Sequence, residues 1–245
     1  MLCESSKIVL IGTGNVATHL AKNLAKCGVC VSQVSGRMFA GLDANADLYI
    51  IAVKDDAIPD VVARMPDTKG IVVHTAGSVD MAVLAKKFAR CGVFYPLQTF
   101  SKNRDLDFSK IPVFLEASDE KTLLELKNFA SILTKNINEA SSEKRKCLHL
   151  SAIFACNFVN HLYALAGDIA EKAGYNIEVL LPLINETAAK IQELSPREAQ
   201  TGPAVRNDKS VMARHEELLK DDETLLSVYQ LLSKSIYQIE NTGGV

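Results

Sequence analysis

The stretch Lys7–Leu24 constrains the fold more than any other. K-I-V-L-I, almost continuously apolar, runs into Gly12-Thr13-Gly14-Asn15-Val16-Ala17, after which Val16, Leu20 and Leu24 recur on one helical face. A short apolar run reads as a strand buried on both sides, and a glycine turn that opens directly into a helix starts a crossover unit. The same alternation continues through the first half. Strands are expected at Lys7–Ile11, Val29–Val34, Leu48–Val53, Gly70–His74, Val93–Tyr95 and Ile111–Glu116, with helices at Asn15–Cys27, Val79–Ala89 and Glu120–Leu133. After Ala140 the texture changes. Ser142–Ala173 reads as one long helix, and the rest is helical with breaks at Pro182, Pro196 and Gly202-Pro203.

The fold class expected is α/β, a Rossmann-like doubly wound parallel sheet over residues 1–140, followed by an all-α C-terminal domain over residues 141–245. One connection fits poorly. Only Met38–Asn45 separate Arg37 from the strand beginning near Ala46, whereas a parallel crossover needs about a dozen residues or more. Either the crossover is truncated or residues are missing within this stretch. The second is favoured, with two neighbouring Cα atoms within Arg37–Gly41 lying much farther apart than the roughly 3.8 Å of a trans peptide.

Gly12-Thr13-Gly14-Asn15-Val16-Ala17 is G-x-G-x-x-A between strand and helix. The first glycine makes the tight turn, the second lets backbone approach a pyrophosphate on the positive helix N-terminus, and Ala17 permits close helix–strand packing. Tight turns with two glycines also occur without ligands, but here the surrounding context is that of a dinucleotide site. About 20 residues on, an NAD site would carry Asp or Glu for the ribose 2′-hydroxyl. Ser35 and Arg37 stand there instead, and a guanidinium with a nearby hydroxyl suits a 2′-phosphate. The reading is NADP over NAD, against that of a solvated surface arginine.

Ligands of open α/β sheets sit beyond the carboxyl ends of the strands. Ala52, Val53 and Lys54 suit the floor under the cofactor, followed by Thr75 and Ala76, while Ser78, Tyr95, Gln98 and Thr99 face the substrate. His74 is placed to donate a proton to a carbonyl or imine product, or else to hydrogen-bond backbone at a strand end. Lys54 could equally face solvent, and Ser78 could simply cap the helix Val79–Ala89.

The opening glycine motif, A46-D-L-Y-I-I-A-V-K-D55, V72-V-H-T-A-G-S78 and V93-F-Y-P-L-Q-T-F100 resemble one group. It is the Rossmann-like NADP oxidoreductases with a C-terminal helical domain of unknown function, relatives of pyrroline-5-carboxylate reductase and of deazaflavin-dependent NADP oxidoreductases. The similarity continues through H149-L-S-A-I-F-A-C-N-F-V-N160 and Q200-T-G-P-A-V-R-N-D208 into His215, and so spans nearly the whole chain. The resemblance implies an NADP oxidoreductase and supplies no substrate.

On the long helix, His149, Ile153, Asn157, Asn160 and His161 share a broad face. Hydroxyacid dehydrogenases, which are related to the group, put a catalytic lysine four residues before an asparagine on the corresponding helix, where this chain has Ile153. His149 is the nearest substitute as proton donor, with Asn157 and Asn160 orienting substrate, unless these groups only bridge helices. Arg206 could bind a substrate carboxylate bidentately or form an ion pair between domains. The glycine- and threonine-rich signature of pyrroline-5-carboxylate reductases is absent, which argues against that reaction.

A net charge of −2 gives no electrostatic footprint for nucleic acid. Cys27 and Cys30 lack neighbours that would complete a metal set, and the six cysteines read as reduced thiols of a cytoplasmic protein. No signal peptide is read, and no apolar run of the roughly 18 residues needed to span a bilayer. The apolar helical half points to a homodimer. The sequence thus describes an NADP-dependent oxidoreductase acting on a small carbonyl or imine, with an NADP-binding sensor that performs no turnover as the alternative.

Overall fold

The computed structural model describes residues 2–3, 5–37, 39 and 42–241. Among them, seven strands make one sheet: β1 Ile8–Ile11, β2 Val31–Val34, β3 Leu48–Ile51, β4 Ile71–His74, β5 Cys91–Pro96, β6 Val113–Ala117 and β7 Ile137–Glu139. Their spatial order is β2-β1-β3-β4-β5-β6-β7. The first five are parallel, as read from the sequence, whereas β6 runs antiparallel to β5. Between those two strands the chain carries only a 3₁₀ turn at Phe108–Lys110, so no crossover helix lifts it over the sheet. The short strand β7 has no counterpart in the sequence reading, and it pairs parallel with β6 through Val113 and Ile137.

Successive strand residues point to opposite faces, and both faces are covered. Ile8, Leu10, Leu48 and Ile50 pack with Leu20 and Leu24 of α1 (Asn15–Lys26) and with Leu126 and Phe129 of a helix over Glu120–Ala130. Val9, Ile11, Tyr49 and Ile51 pack with Ile58, Val61 and Val62 of α2 (Ile58–Arg64) and with Leu84 of α3 (Ala82–Ala85). This two-sided cover is why I-V-L-I and L-Y-I-I are apolar without alternation. Each such side chain contributes about 1.5–3 kcal/mol on burial.

The helix expected over Val79–Ala89 shrinks to α3. Its start is held by Asp80, whose carboxylate accepts from the Ala82 amide at 2.9 Å, and not by Ser78. In the crossover from β2 to β3, Phe39 and Leu42 pack against the core. The chain break expected within Arg37–Gly41 lies outside the described residues.

With Glu120–Ala130 as α4, the long helix consists of α5 (Ser142–Ala152), a π-helical turn at Ile153–Phe158 and α6 (Val159–Lys172). Contacts divide the chain into two compact units, Met1–Phe158 and Val159–Val245. The sheet itself ends with Glu139. By length and composition alone, Ser142–Lys172 could cross a membrane: an 18-residue window has mean hydropathy 1.3, although polar residues interrupt it throughout.

The second unit continues from α6 through α7 (Leu181–Lys190), α8 (Lys209–Leu219) and α9 (Glu223–Asn241). Pro182, expected as a break, instead sits in the first turn of α7, where a missing N–H costs nothing. Among the described residues of this unit only Ala204 and Leu225 are buried, while Leu183, Leu218 and Leu231 are 66%, 82% and 68% exposed.

Candidate functional site

Strand register builds the site. Val34, Ile11, Ile51 and His74 lie level at the carboxyl ends of four neighbouring strands. Ser35, Gly12, Ala52 and Thr75 therefore open four loops side by side. Three of these are stitched to the adjacent strand by backbone bonds: Gly12 to Val34, Ala52 to Ile11 and Thr75 to Ile51. A cavity of about 1160 Å³ lies over them, and its lining belongs wholly to the first compact unit.

Gly12 adopts φ +133°, and a Cβ there would collide with the Ala52 carbonyl oxygen. Only glycine fits both constraints. At Gly14, by contrast, a Cβ would meet no atom within 4 Å, so the backbone is open to a ligand. The helix that follows has no side-chain cap and no acidic residue in its first turn. Its leading N–H groups and dipole are left for an anion. Asn15 donates to the Phe100 carbonyl at 2.8 Å, and Gln33 donates to that of Gly12 at 2.7 Å, which fixes the loop from both sides. Gly12, Thr13, Gly14, Asn15 and Val16 all line the cavity, and their arrangement fits a pyrophosphate.

Beside this cradle stand Ser35 and Arg37, also lining, with the Arg37 amide donating to the Ser35 hydroxyl at 3.2 Å. Arg64 reaches the same region from the last residue of α2. Its guanidinium donates to the carbonyls of Gly36 and Arg37 at 3.0 and 3.1 Å. The sequence reading missed Arg64, since an arginine at a helix end is ordinarily a solvated charge. Ala52, Val53, Lys54, Thr75 and Ala76 complete this side of the lining.

At the other end, Tyr95, Gln98, Thr99, His149 and Asn157 line the cavity, with Ile153 and Cys156 beside them. The Tyr95 hydroxyl and His149 Nδ1 are 3.1 Å apart, with the rings edge to face. Gly77 permits this pairing, because a Cβ on it would lie 2.7 Å from the His149 ring and 2.8 Å from Tyr95. Burial and the nearby Asp55 carboxylate push the Tyr95 hydroxyl up to about 12, so it keeps its proton at neutral pH. Asp55 also lines the cavity and accepts a hydrogen bond from Ser78, which itself does not line it.

His149 is held in place by Arg145, one turn earlier on α5 and fully buried. The Arg145 guanidinium pairs with Glu116 of β6 and donates to the Ala76, Val79 and Ser142 oxygens. Glu116 also accepts from the Ser142 amide and hydroxyl at 2.9 and 2.8 Å. One ion pair thus ties the start of the long helix to the sheet and to the loop after β4. In sequence Arg145 sits inside E-K-R-K, a run that looks like a solvated face, so nothing there announces a buried charge.

His74 is placed differently from the proton donor expected. It is completely buried under the loop and does not line the cavity. Nδ1 accepts from the Ala76 amide at 3.2 Å, while Nε2 makes no well-formed hydrogen bond among the described residues. Burial, with the Arg145 charge second, lowers it to about 4 against the weaker opposing pull of Asp80, so it is neutral at pH 7. Asn160 and Arg206 belong to the second unit, and both are exposed there.

A mostly parallel sheet whose first strand runs through G-x-G-x-x-A into a helix, with a cavity at the strand ends, defines a Rossmann-like protein. Residues 111–236 match the family described as "Domain of unknown function (DUF2520)", and the chain belongs to that family. It is 42% identical to a solved structure from Bacteroides fragilis named "putative NADP oxidoreductase BF3122", over 96% of this chain and 99% of that one, with a TM-score of 0.89. Protein TM1727 from Thermotoga maritima shares the fold at 21% identity over 96% of this chain and 99% of that one, with a TM-score of 0.71. 1-Pyrroline-5-carboxylate reductase from Streptococcus pyogenes shares it at 12% identity over 96% and 100%, with a TM-score of 0.59. No curated protein sequence matches the chain.

Proposed function

We propose that the chain is an NADP-dependent oxidoreductase acting on a small carbonyl or imine, active as a homodimer built through its helical half in the cytoplasm. The observation that carries the reading is one cavity with an anion cradle at one end and the Tyr95–His149 pair at the other. The 42% identity to a protein named for NADP oxidoreduction supports the cofactor. The six free cysteines suit a reducing compartment, and the exposed leucines of the second unit suit a covered interface.

Gly12–Val16 would hold the pyrophosphate, Ser35 and Arg37 the 2′-phosphate, and Ala52, Val53, Lys54, Thr75 and Ala76 the face of the cofactor. When bound, the nicotinamide supplies or accepts the hydride. His149 delivers the proton: as an imidazolium it donates Nδ1–H to the Tyr95 oxygen and gives Nε2–H to the substrate heteroatom, becoming neutral. Asn157, Gln98 and Thr99 orient the substrate by hydrogen bonding. Ile153 stands where hydroxyacid dehydrogenases carry lysine, so proton delivery rests on His149.

Calorimetry with NADPH and NADH, followed by NADPH-oxidation assays against small ketones, aldehydes and cyclic imines, tests the reading. NADPH should bind at least about tenfold tighter, a difference near 1.4 kcal/mol. His149→Asn should retain NADPH binding and lose about 10²-fold or more in turnover, the scale of a positioned proton donor. Tight NADH binding without NADPH binding, or an unimpaired His149→Asn, refutes it. NADPH binding with no oxidation of any substrate favours a sensor instead.

A further inference from the structure

Arg64 makes more directed contacts than a surface arginine needs. Besides its two bonds to the Gly36 and Arg37 carbonyls, Nε donates to the Asp60 carbonyl at 3.3 Å and Nη2 pairs with the Asp60 carboxylate at 2.7 Å. The guanidinium also lies over the Phe39 ring, 5.5 Å from its centroid. Every one of these partners belongs to α2 or to the loop leaving β2. The planar fork is therefore a rigid strut between the two, a geometry that an ammonium cannot reproduce.

The strut also settles the sign of the local charge. Asp60, Arg64 and Arg37 all line this end of the cavity. A carboxylate here would repel a phosphate dianion, but Asp60 is paired with Arg64, so it does not offset the Arg37 charge. Without Arg64, the Asp60 and Arg37 charges would offset each other, and the Gly36 and Arg37 carbonyls would lose the donors that tie the loop to α2.

We infer that Arg64 is a positioning and specificity-determining residue for the 2′-phosphate of the cofactor: it shapes the Ser35–Arg37 loop through two main-chain bonds and masks Asp60. The inference rests on the NADP reading above. It assigns to α2 a role in cofactor choice usually sought in the loop after β2 alone.

The test is calorimetry on the full-length chain with NADPH, NADH, adenosine 2′,5′-bisphosphate and AMP. The wild type should prefer the 2′-phosphorylated member of each pair. Arg64→Met, whose unbranched stem still covers Phe39, should weaken NADPH and the bisphosphate by about tenfold to a hundredfold, the range of lost charge-assisted bonds. NADH and AMP should change by less than about threefold, so the preference collapses without a general loss of binding. Arg64→Lys should recover less than half of the loss on a logarithmic scale, because it returns the charge without the fork. Arg64→Met with its preference intact overturns the inference, as does full rescue by lysine. Equal loss for all four ligands also overturns it, since that marks a merely structural role. A wild type without preference instead defeats the underlying NADP reading, and is told apart because it needs no variant.

Discussion

His74 offers a prediction whose sign and size follow from its surroundings. It lies at the end of β4, wholly buried, and burial with the Arg145 charge lowers it to about 4 from 6.5. The unfolded chain therefore binds a proton that the folded chain refuses, and stability must fall as pH falls through the window between those two values. Linkage gives the size: going from about pH 7 to about pH 5, this one group withdraws about 2 kcal/mol of folding free energy. Below about pH 4 the full loss is about 3 kcal/mol, since each tenfold drop in proton affinity is worth about 1.4 kcal/mol. The variant to compare is His74→Asn, because an asparagine oxygen can still accept from the Ala76 amide where Nδ1 does so now. Urea unfolding of both proteins at several pH values isolates the histidine, since every carboxylate is common to the two. The wild type should lose about 2 kcal/mol more than His74→Asn over that interval. Parallel curves would mean that His74 can take up a proton in the folded state, and the account of its burial would be wrong.

Two further outcomes follow from the same structure. Arg145→Met should cost about 3–5 kcal/mol in urea unfolding, because it leaves the Glu116 carboxylate unpaired where the guanidinium now meets it; adding Glu116→Gln should restore part of that loss. Sedimentation velocity should show a dimer for the wild type and a monomer for Phe154→Glu combined with Phe158→Glu, two rings that stack edge to face 5.0 Å apart while 62% and 49% exposed; a monomeric wild type at micromolar concentration would refute the homodimer.

Much of the sheet was legible because buried parallel strands write themselves as uninterrupted apolar runs. I-V-L-I, L-Y-I-I and I-V-V-H each appear where a run appears. The cradle at Gly12–Val16 was legible for a similar reason, since a tight turn against a neighbouring strand demands glycine. What escaped were features set by tertiary contact. Strand β7 is only three residues long and half exposed, so its pairing leaves no pattern. The reversal of β6 depends on a connection without a crossover helix. The π-helical turn at Ile153–Phe158 is invisible in composition, yet His149, Ile153 and Asn157 all still reach the cavity around it. Arg64 and Arg145 look like any other charged residue until their partners, distant in sequence, are known. His74 stands out in the sequence for its type and its place at a strand end, and only the surrounding packing shows that it faces the core.

The position of β2 has a consequence for how such a chain could diversify. It is an edge strand, and Ser32 and Gln33 are exposed while β1 and β3, the next two strands inward, are buried throughout. The residues proposed to read the 2′-phosphate hang from this margin, and Arg64 props them from a helix end. Substitutions there leave the sheet interior untouched. A lineage carrying this fold could therefore exchange one cofactor preference for the other by drift at its rim, with the Tyr95–His149 end of the cavity and the stability of the core inherited unchanged.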